Sequence, residues 1–515
     1  MRLAVSLSRR RAVPDLTRPP WGAEAVRRGL GALSLVAAAA LAACAGNKPP
    51  PGDDAPTLAT LNSRQVTVDK ERKISSDENV AIDAYRKFLD SAPSPALAPQ
   101  RAEAMRRLGD LEMDAADNRS GNSSNGAAPD YKQAVARYQD YLKAHPSDPG
   151  NDRVLYQLAR AQEQSGDLET ALKTLDRLVV SYPDTVYREE SQFRRGELLF
   201  TLKTYLAAEQ AYNAVLAQNS DTAYKDRALY MQGWSRFKQG KLEEGLRSFF
   251  GVLDGKLASQ GEAPLEELEG LSRGDRELVE DTFRVMSLSL ANLQGAESIA
   301  AHTGSDTRRT YEFRVYQQLG ELYIRQERVK DAADTFGAFV RKSPMHAQAP
   351  VLAARVIDIY EEGGFANLAL EAKKEYVGRY GVASDFRKAN PEGWAKAQPL
   401  VKTRLSELAR HYHASAQKTK DSSDYQEAIR WYRDIITGFP GEPDTAKNHF
   451  LLGELLFEDA KFAQAAVEYE KTAYDYPKHD KSADAGYSAL LAYAEQDKRA
   501  AAADKASLSI SSALR

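Results

Sequence analysis

One arrangement of apolar and small residues recurs along the chain: an Ala, an aromatic residue or Leu four positions later, an apolar or small residue three further on, and a Pro five beyond that. Offsets of four and seven place side chains on one helix face, and a Pro shortly afterwards ends the helix. Each copy therefore predicts one amphipathic helix. The copies are Ala81, Tyr85, Phe88, Pro93; Ala134, Tyr138, Tyr141, Pro146; Ala171, Leu175, Leu178, Pro183; Ala332, Phe336, Phe339, Pro344; Ala428, Tyr432, Ile435, Pro440; and Ala465, Tyr469, Thr472, Pro477.

Two degraded copies set the period of the pattern. They are Ala208, Tyr212, Val215, without the Pro, and Gly245, Phe249, Val252. The leading positions 134, 171, 208 and 245 are then each 37 residues apart, and so are positions 428 and 465. Even spacing of this kind predicts an internal repeat rather than a series of unrelated helices.

Another helix is predicted before each of these helices, with a Gly or Ala among apolar residues. It is the first helix of a pair, and the helix with the recurring pattern is the second. The residues of the first helices are Tyr316, Leu319, Gly320, Tyr323; Leu452, Gly453, Leu456; Leu155, Leu158, Ala159; Gly196, Leu199; and Gly233. A small residue lets the following helix approach closely, and a Gly favours the turn between the two, as at Gly166 and Gly240. Each repeat is thus predicted to be a helical hairpin.

The residues from Phe313 to Pro344 resemble the tetratricopeptide repeat, whose consensus is W-x2-L-G-x2-Y, then A-x3-F, then P. A single copy would equally fit an ordinary amphipathic hairpin, but six copies in register favour the repeat. The family period is about 34 residues, so a step of 37 adds about three, which fit in loops such as PSDPGNDR, PDTVYREE and PGEPDTAK. The resemblance implies an all-α solenoid of helical hairpins wound into a right-handed superhelix. Lengthened repeats of this type are similar to those of bacterial envelope lipoproteins, including the helical-repeat lipoprotein of the outer-membrane barrel assembly machinery.

Two stretches interrupt the predicted repeats. The polar segment Asp117–Pro129 predicts a long loop inside one repeat. Residues 254–310 break the period and predict a loop and a short helix in DGKLASQGEAPLEELEGLSRGD, followed by two helices in RELVEDTFRVMSLSLANLQGAESIAAHTG.

The N-terminal segment carries the pattern of an export signal. Residues 29–43 form an apolar run too short to span a bilayer comfortably, and it follows Arg27 and Arg28. The sequence Leu41, Ala42, Ala43, Cys44 resembles the lipobox of bacterial lipoproteins. That resemblance implies cleavage before Cys44 and acylation with palmitate or similar chains. Ala45 implies sorting to the outer membrane, with the protein facing the periplasm. A plain secretory signal, or an apolar helix that happens to contain Cys, is the alternative.

The segment after Cys44, NKPPPGDDAPT, is rich in Pro and Gly and predicts a disordered leash. The predicted segments are a signal peptide at 1–43, the lipidated Cys and linker at 44–70, an N-terminal repeat array at 71–253, a helical insert at 254–310, a central repeat pair at 311–381 and a C-terminal array at 382–515.

Composition and motifs give no support to catalysis or to nucleic-acid binding. The chain has one Cys, which rules out an internal disulfide and Cys-based metal sites. Its net charge is -3, and since residues 1–43 carry +5, the remainder carries -8 and offers no basic stripe for phosphates.

His411 and His413 lie two positions apart and point to different helix faces, and the pair Glu361 and Glu362 has no nearby catalytic partner. The P-loop, G-x-S-x-G and H-E-x-x-H motifs are absent. We predict no enzymatic activity, no metal and no cofactor.

The resemblance implies that first helices line a groove that binds partner segments. Mapped onto this chain, the groove positions are Arg227, Tyr230, Trp234, Phe237; Arg314, Gln317, Glu321, Arg325; and Phe450, Glu454, Phe457. Packing of Tyr230, Trp234 and Phe450 against the adjacent repeat is the alternative.

The predicted function is an adaptor that gathers envelope proteins, either in barrel assembly or in a trans-envelope motility or secretion complex. A periplasmic accessory to cell-wall enzymes is the alternative, and it would require a glycan-binding module that the sequence does not indicate.

Overall fold

The computed structural model describes residues 78–122, 130–218, 222–261 and 270–513, and every regular element within these ranges is a helix. The predicted signal peptide, Cys44 and linker lie outside them. The chain divides into two compact units, unit 1 up to Gly251 and unit 2 from Val252. Successive helices fold back on one another in both units, so the predicted all-α fold of repeated tetratricopeptide-type hairpins is confirmed.

Within the described residues, the first helix of unit 1 carries the sequence pattern of a second helix, and hairpins follow it. The helices of unit 1 are α1 Glu78–Asp90, α2 Ala98–Asn122, α3 Lys132–Ala144, α4 Asn151–Gln164, α5 Leu168–Ser181, α6 Arg188–Thr201, α7 Tyr205–Leu216, α8 Lys225–Lys238 and α9 Leu242–Leu257, within which the unit ends. A 3-10 turn at Pro95–Leu97 precedes α2. We call α2, α4, α6 and α8 the first helices of unit 1, because each is followed by the partner onto which it packs.

Unit 2 contains the remaining helices. They are α10 Arg273–Ala291, α11 Ala296–His302, α12 Asp306–Arg309, α13 Glu312–Arg325, α14 Val329–Lys342, α15 Ala349–Glu362, α16 Ala366–Tyr380, α17 Asp385–Ala389, α18 Pro391–Thr419, α19 Ser422–Gly438, α20 Thr445–Glu458, α21 Phe462–Tyr474 and α22 Ser482–Ala513. The two helices predicted in the insert are α10 and α11. The first helices of this unit's hairpins are α13, α15, α18 and α20.

Five hairpins close where a Gly of the first helix meets an aromatic ring of the second, at Gly109, Gly196, Gly233, Gly320 and Gly453. A Cβ on Gly196 would lie 2.5 Å from the ring of Tyr212, and one on Gly453 would lie 2.8 Å from the ring of Tyr469. The leading Ala of the second helix is fully buried at the same contact, as at Ala208 and Ala465. The recurring sequence pattern is therefore the signature of close helix packing.

Six of the hairpin turns have a residue in the left-handed region that is followed by the same hydrogen-bond pattern. These residues are Gly166, Lys203, Gly240, Glu327, Gly364 and Ala460, with φ between 56° and 83°. The next amide donates back to the carbonyl five residues earlier, as from Asp167 to Gln162 at 3.0 Å and from Thr204 to Leu199 at 2.8 Å. This is the Schellman arrangement, which satisfies carbonyls at the helix end.

The predicted proline stops also appear. Helix α5 ends at Ser181 before Pro183, and α14 ends at Lys342 before Pro344. The residue before each Pro has left the helical region, with ψ of 70° at Tyr182 and 60° at Ser343.

One sequence prediction about the loops is wrong. The segment Asp117–Pro129 was expected to be a loop from its start, but α2 continues to Asn122. Asn118 donates to the Glu78 carboxylate at 2.7 Å and the Arg119 Nε donates to the Ala115 carbonyl at 3.0 Å. These bonds hold a polar sequence in a helix that propensity alone would end. Residues 123–129 lie outside the described part of the chain.

Candidate binding face

The first set of predicted groove residues lies on α8. Tyr230 and Trp234 are buried, with 1% and 0% exposure, and their rings meet edge to face at 6.5 Å. Phe237 is half-buried and packs on Trp234 at 5.4 Å, whereas Arg227 is exposed. The expectation that Tyr230 and Trp234 line an open groove is wrong, because both side chains belong to the packed interior.

The second set lies on α13, and its leading residue is also inside the protein. Arg314 has 0% exposure, donates to the Gly261 carbonyl at 3.2 Å and places its guanidinium 4.9 Å from the Phe313 ring centre. Its placement in an open groove is therefore wrong. Hydrogen bonding and ring stacking hold the buried cation there. Of the remaining predicted residues, the half-buried ones are Gln317 and Glu321, and the exposed one is Arg325.

The third set lies on α20, where all three residues are half-buried. Phe450 packs on Tyr469 at 5.8 Å and Phe457 packs on Phe462 at 5.1 Å, both across the hairpin to α21. Glu454 accepts a hydrogen bond from the Tyr469 hydroxyl at 2.5 Å. Their part in binding a partner stays a prediction, as it does for Arg227, Phe237, Gln317, Glu321 and Arg325.

A feature that the sequence reading missed joins successive first helices of unit 1. In each step an Arg of the later helix pairs with an acid of the earlier one, and we call these pairs the ion-pair ladder. The pairs are Arg153 with Asp110 at 3.1 Å, Arg194 with Glu163 at 3.1 Å and Arg227 with Glu197 at 3.6 Å. The ladder defines what we call the first-helix face, the side of α2, α4, α6 and α8 that carries these residues.

Unit 2 has two pairs of the same kind, with the same polarity along the chain. Arg355 of α15 donates to Glu321 of α13 at 3.1 Å, and Arg404 of α18 donates to Asp358 of α15 at 2.5 Å. Arg404 is buried and pairs with Glu407 of its own helix as well. The recurrence in both units shows that the pairing follows from repeat geometry rather than from one local accident of sequence.

Aromatic rings lie beside the ladder in unit 1. Tyr156 stacks on Tyr187 at 4.7 Å, and Phe193 packs against Tyr224 at 5.1 Å. The guanidinium of Arg227 lies 5.1 Å from the Phe193 ring centre. The first-helix face thus combines fixed charges with buried and half-buried aromatic rings.

The acids directly after the small residues of the first helices differ in their hydrogen bonding. The Tyr138 hydroxyl of α3 donates to Asp110, which follows Gly109, at 2.8 Å. In the hairpin of α6 and α7, Tyr212 packs on Gly196 in the same way, yet its buried hydroxyl has no hydrogen-bond partner among the described residues. Glu197, the acid after Gly196, is therefore not held by a tyrosine as Asp110 is.

The carboxyl of Glu197 lies among charged neighbours. Burial raises its pKa to about 7, because the pairing with Arg227 does not fully offset lost hydration. A quarter of the side chain remains open to solvent, at 25% exposure. The charged groups that face it are Arg227 on α8, Glu163 on α4, and Glu190 and Arg194 on its own helix.

Arg194 hydrogen-bonds two other acids, so it lowers the pKa of Glu197 only by attraction, without a hydrogen bond. It donates to Glu163 at 3.1 Å and to Glu190 at 2.9 Å. Burial works against ionisation of Glu190, but hydrogen bonds from Tyr156 and attraction to Arg194 hold the pKa of Glu190 below its usual value. Glu190 and Glu163 are therefore well paired, whereas Glu197 is not.

Within the described ranges, no three His, Cys, Asp or Glu side chains come together as metal ligands. No helix of this same portion of the chain is both long and apolar enough to cross a membrane.

Comparison with protein families identifies a match to the tetratricopeptide repeat over residues 127–189, which contain the hairpin of α4 and α5. No curated protein sequence is significantly similar to the chain.

Solved structures with similar helical repeats share little sequence with the chain. A tetratricopeptide repeat protein from Parabacteroides merdae ATCC 43184 is 12% identical, with 76% of this chain and 99% of that one covered and a TM-score of 0.26. MamA 41-end from Desulfovibrio magneticus RS-1 is 15% identical over 41% of this chain and 95% of its own, with a TM-score of 0.27. The Naa15/Naa10 complex bound to HypK-THB is 13% identical over 81% and 67%, with a TM-score of 0.29. The hairpin geometry and the family match therefore support the fold class, and these superpositions do not.

Proposed function

We propose that this chain is a non-enzymatic adaptor that binds protein partners along its first-helix face. The observation that carries the proposal is the ion-pair ladder, because its outer cations remain open to solvent: the side chains of Arg153 and Arg227 are 41% and 55% exposed. Half-exposed arginines beside buried aromatic rings are typical of surfaces that bind protein segments. The repeated hairpins hold these groups in fixed positions.

We further propose that the adaptor is tied to the periplasmic side of the outer membrane through acylated Cys44. Support comes from the lipobox-like residues Leu41, Ala42 and Ala43 and from the Pro-rich segment that follows. Each buried acyl methylene contributes about 0.8 kcal/mol, so two or more chains on one Cys make a stable anchor. The partners would then be envelope proteins.

The adaptor proposal is tested by crosslinking the native protein in solubilised envelopes and identifying what co-purifies. We expect at least one protein to be recovered with the unaltered chain and lost with Arg227→Glu, which reverses an exposed charge of the first-helix face. Arg177→Glu, on the exposed side of second helix α5, is the matched control and should retain the partner. Recovery of no protein, or equal loss with both variants, would contradict the proposal.

The anchor is tested separately with Cys44→Ser. This variant should lose labelling by a palmitate analogue and leave the membrane fraction. Unchanged fractionation would show that attachment, if any, does not depend on Cys44.

A further inference from the structure

An apolar groove lies between α1 and α2. Its volume is about 710 Å³, and apolar side chains of both helices form its walls: Ala81, Tyr85, Phe88, Pro99 and Ala104. Arg101 of α2 donates to the Phe88 carbonyl at 3.2 Å and to the Ser91 carbonyl at 3.1 Å, at the end of α1. These bonds fix the two helices relative to each other, so the groove has a defined shape.

In the other copies of the repeat pattern, a first helix covers the positions that are open in α1. The leading Ala and the next two packing positions are at most 4% exposed in the five other complete copies. A Cβ on Gly109 of α2, for example, would lie 2.8 Å from the Tyr138 ring of α3. The equivalent residues of α1, Ala81, Tyr85 and Phe88, are only half-buried, and no described helix precedes them. The groove therefore continues the hairpin interface of the repeat, with its first-helix side uncovered.

The closed hairpins show which helix fits this interface. Three first helices have Leu before the small residue and an acid after it, at Gly109, Gly320 and Gly453. In two of these hairpins the second helix has Tyr, whose hydroxyl donates to that acid, from Tyr138 to Asp110 at 2.8 Å and from Tyr469 to Glu454 at 2.5 Å. Tyr85 has the same position in α1. A fitting helix therefore carries Leu, then Gly or Ala, then Asp or Glu.

The chain does not offer such a helix at the usual spacing. In five hairpins the small residue lies twelve positions before the leading residue of the second helix, and twelve positions before Ala81 is Asp69. A carboxylate buried against an aromatic ring is costly. A second copy is also a poor source, because its described first helices already pack on their own second helices. Its last helix, α22, has Leu490 one period after Gly453, where a small residue is required.

We propose that the groove of α1 and α2 binds an amphipathic α-helix of a partner protein, which docks in the manner of a first helix. The small residue of that helix lies against the Tyr85 ring, and the acid after it accepts a hydrogen bond from the Tyr85 hydroxyl. The groove contains no residue of the ion-pair ladder, so it is a second binding surface beyond the first-helix face.

The first test measures binding of a synthetic peptide with the sequence of α20, TAKNHFLLGELLFE, to the full chain by fluorescence anisotropy. This peptide has the required order of residues. Its affinity should fall by about tenfold or more with Gly453→Leu in the peptide, because the larger side chain does not fit against Tyr85. Glu454→Gln in the peptide should weaken binding by about threefold to tenfold.

Variants of the full chain locate the peptide. Ala84 is exposed and lines the groove, so Ala84→Arg should weaken binding by about tenfold or more. Val180→Arg, at a 79% exposed position of second helix α5, is the matched control and should leave the affinity unchanged. Circular dichroism melting of each variant shows whether it is folded.

A photocrosslinking amino acid at Ala84 in cells then identifies the natural occupant. We expect adducts with another protein, at a segment that has Leu, a small residue and an acid in succession. Adducts with residues 45–77 of this chain, with a second copy or with a segment that lacks this order would overturn the inference, as would the absence of any adduct. Failure of the α20 peptide to bind, or equal binding with Gly453→Leu, would also overturn it. The first-helix face would stand in each case, because its test depends on Arg227.

Discussion

Gly320 shows how much of this fold depends on single small residues. A Cβ at this position would lie well inside van der Waals contact with the Phe336 ring, whereas a Cβ on Gly378 of α16 would meet nothing within 4 Å. Replacing a helical Gly with Ala ordinarily stabilises by about 1 kcal/mol, but forcing a methyl into a packed contact costs about 1–3 kcal/mol.

We therefore expect Gly320→Ala to lower the free energy of unfolding of unit 2 by about 1–2 kcal/mol. The control, Gly378→Ala, should raise it by about 0.5–1 kcal/mol. Urea unfolding followed by circular dichroism measures both. Equal effects of the two substitutions would mean that the Gly320 contact does not set the hairpin spacing.

Glu197 should make stability depend on pH. Because its pKa rises from 4.5 to about 7 on folding, the folded chain binds an extra proton between these values, and stability from this group is lost as pH rises through that window. Glu197→Gln cannot ionise, so it should change stability little at pH 5 and increase it at pH 8 by about 1–2 kcal/mol. Urea midpoints at the two pH values measure the difference. An effect of the same size at pH 5 and pH 8 would contradict a raised pKa.

At the residue scale, the sequence predicted packing positions far better than surface positions. Gly320, Ala332 and Phe336 were identified from spacing because close helix contact restricts residue size. Trp234 and Arg314 were placed in the groove by the same register, but they are buried, since register gives the direction of a side chain and not what covers it. The ladder acid Glu197 was missed, although its position directly after Gly196 was a usable signal.

At the scale of the element, the hairpin turn sets the conformation that its residue must adopt. Lys203 takes φ of 62° where the equivalent turns have Gly166 and Gly240. A side chain with a Cβ in the left-handed region costs about 1–2 kcal/mol.

Lys203→Gly should therefore raise the free energy of unfolding of unit 1 by about 1 kcal/mol. The reciprocal change, Gly240→Ala, should lower it by about the same amount, because a Cβ there meets no neighbour and only the backbone is strained. Thermal and urea unfolding measure the two shifts. The account of the turn fails if Lys203→Gly is destabilising.

The hydroxyl of a second-helix tyrosine should stabilise its hairpin only where it is hydrogen-bonded. Tyr138→Phe removes the bond to Asp110 and should lower the free energy of unfolding by about 1–2 kcal/mol. Tyr212→Phe removes a buried hydroxyl without a partner among the described residues and should raise the free energy of unfolding by up to about 1 kcal/mol. Urea unfolding of the two variants compares them within unit 1. A larger loss for Tyr212→Phe would show that its hydroxyl is already satisfied.

Most elements could be predicted from the sequence because a helix interior, a glycine turn and a proline stop are local signals. Helix α2 is the exception, since its last turn is polar and is held by the hydrogen bond from Asn118 to Glu78 of α1. Such contacts depend on tertiary structure, which local propensity does not encode.

At the scale of the whole molecule, the net charge of -3 gave no sign of a charged binding face. The charges of the ladder are arranged as pairs between neighbouring repeats, so they cancel in composition while remaining ordered in space. Only the three-dimensional repeat brings Arg153 to Asp110 or Arg227 to Glu197. Function was therefore predictable as far as a binding scaffold, whereas the particular face required the structure.

The central claim is that partners bind the first-helix face. Its most direct test places a photocrosslinking amino acid at Arg153 or Arg227 on that face, and at Arg177 or Leu206 on exposed sides of the second helices, in cells that express the full chain. We expect discrete crosslinked adducts from the first two positions and none from the other two. Adducts from the second-helix positions alone, or equal adducts from all four, would contradict the account.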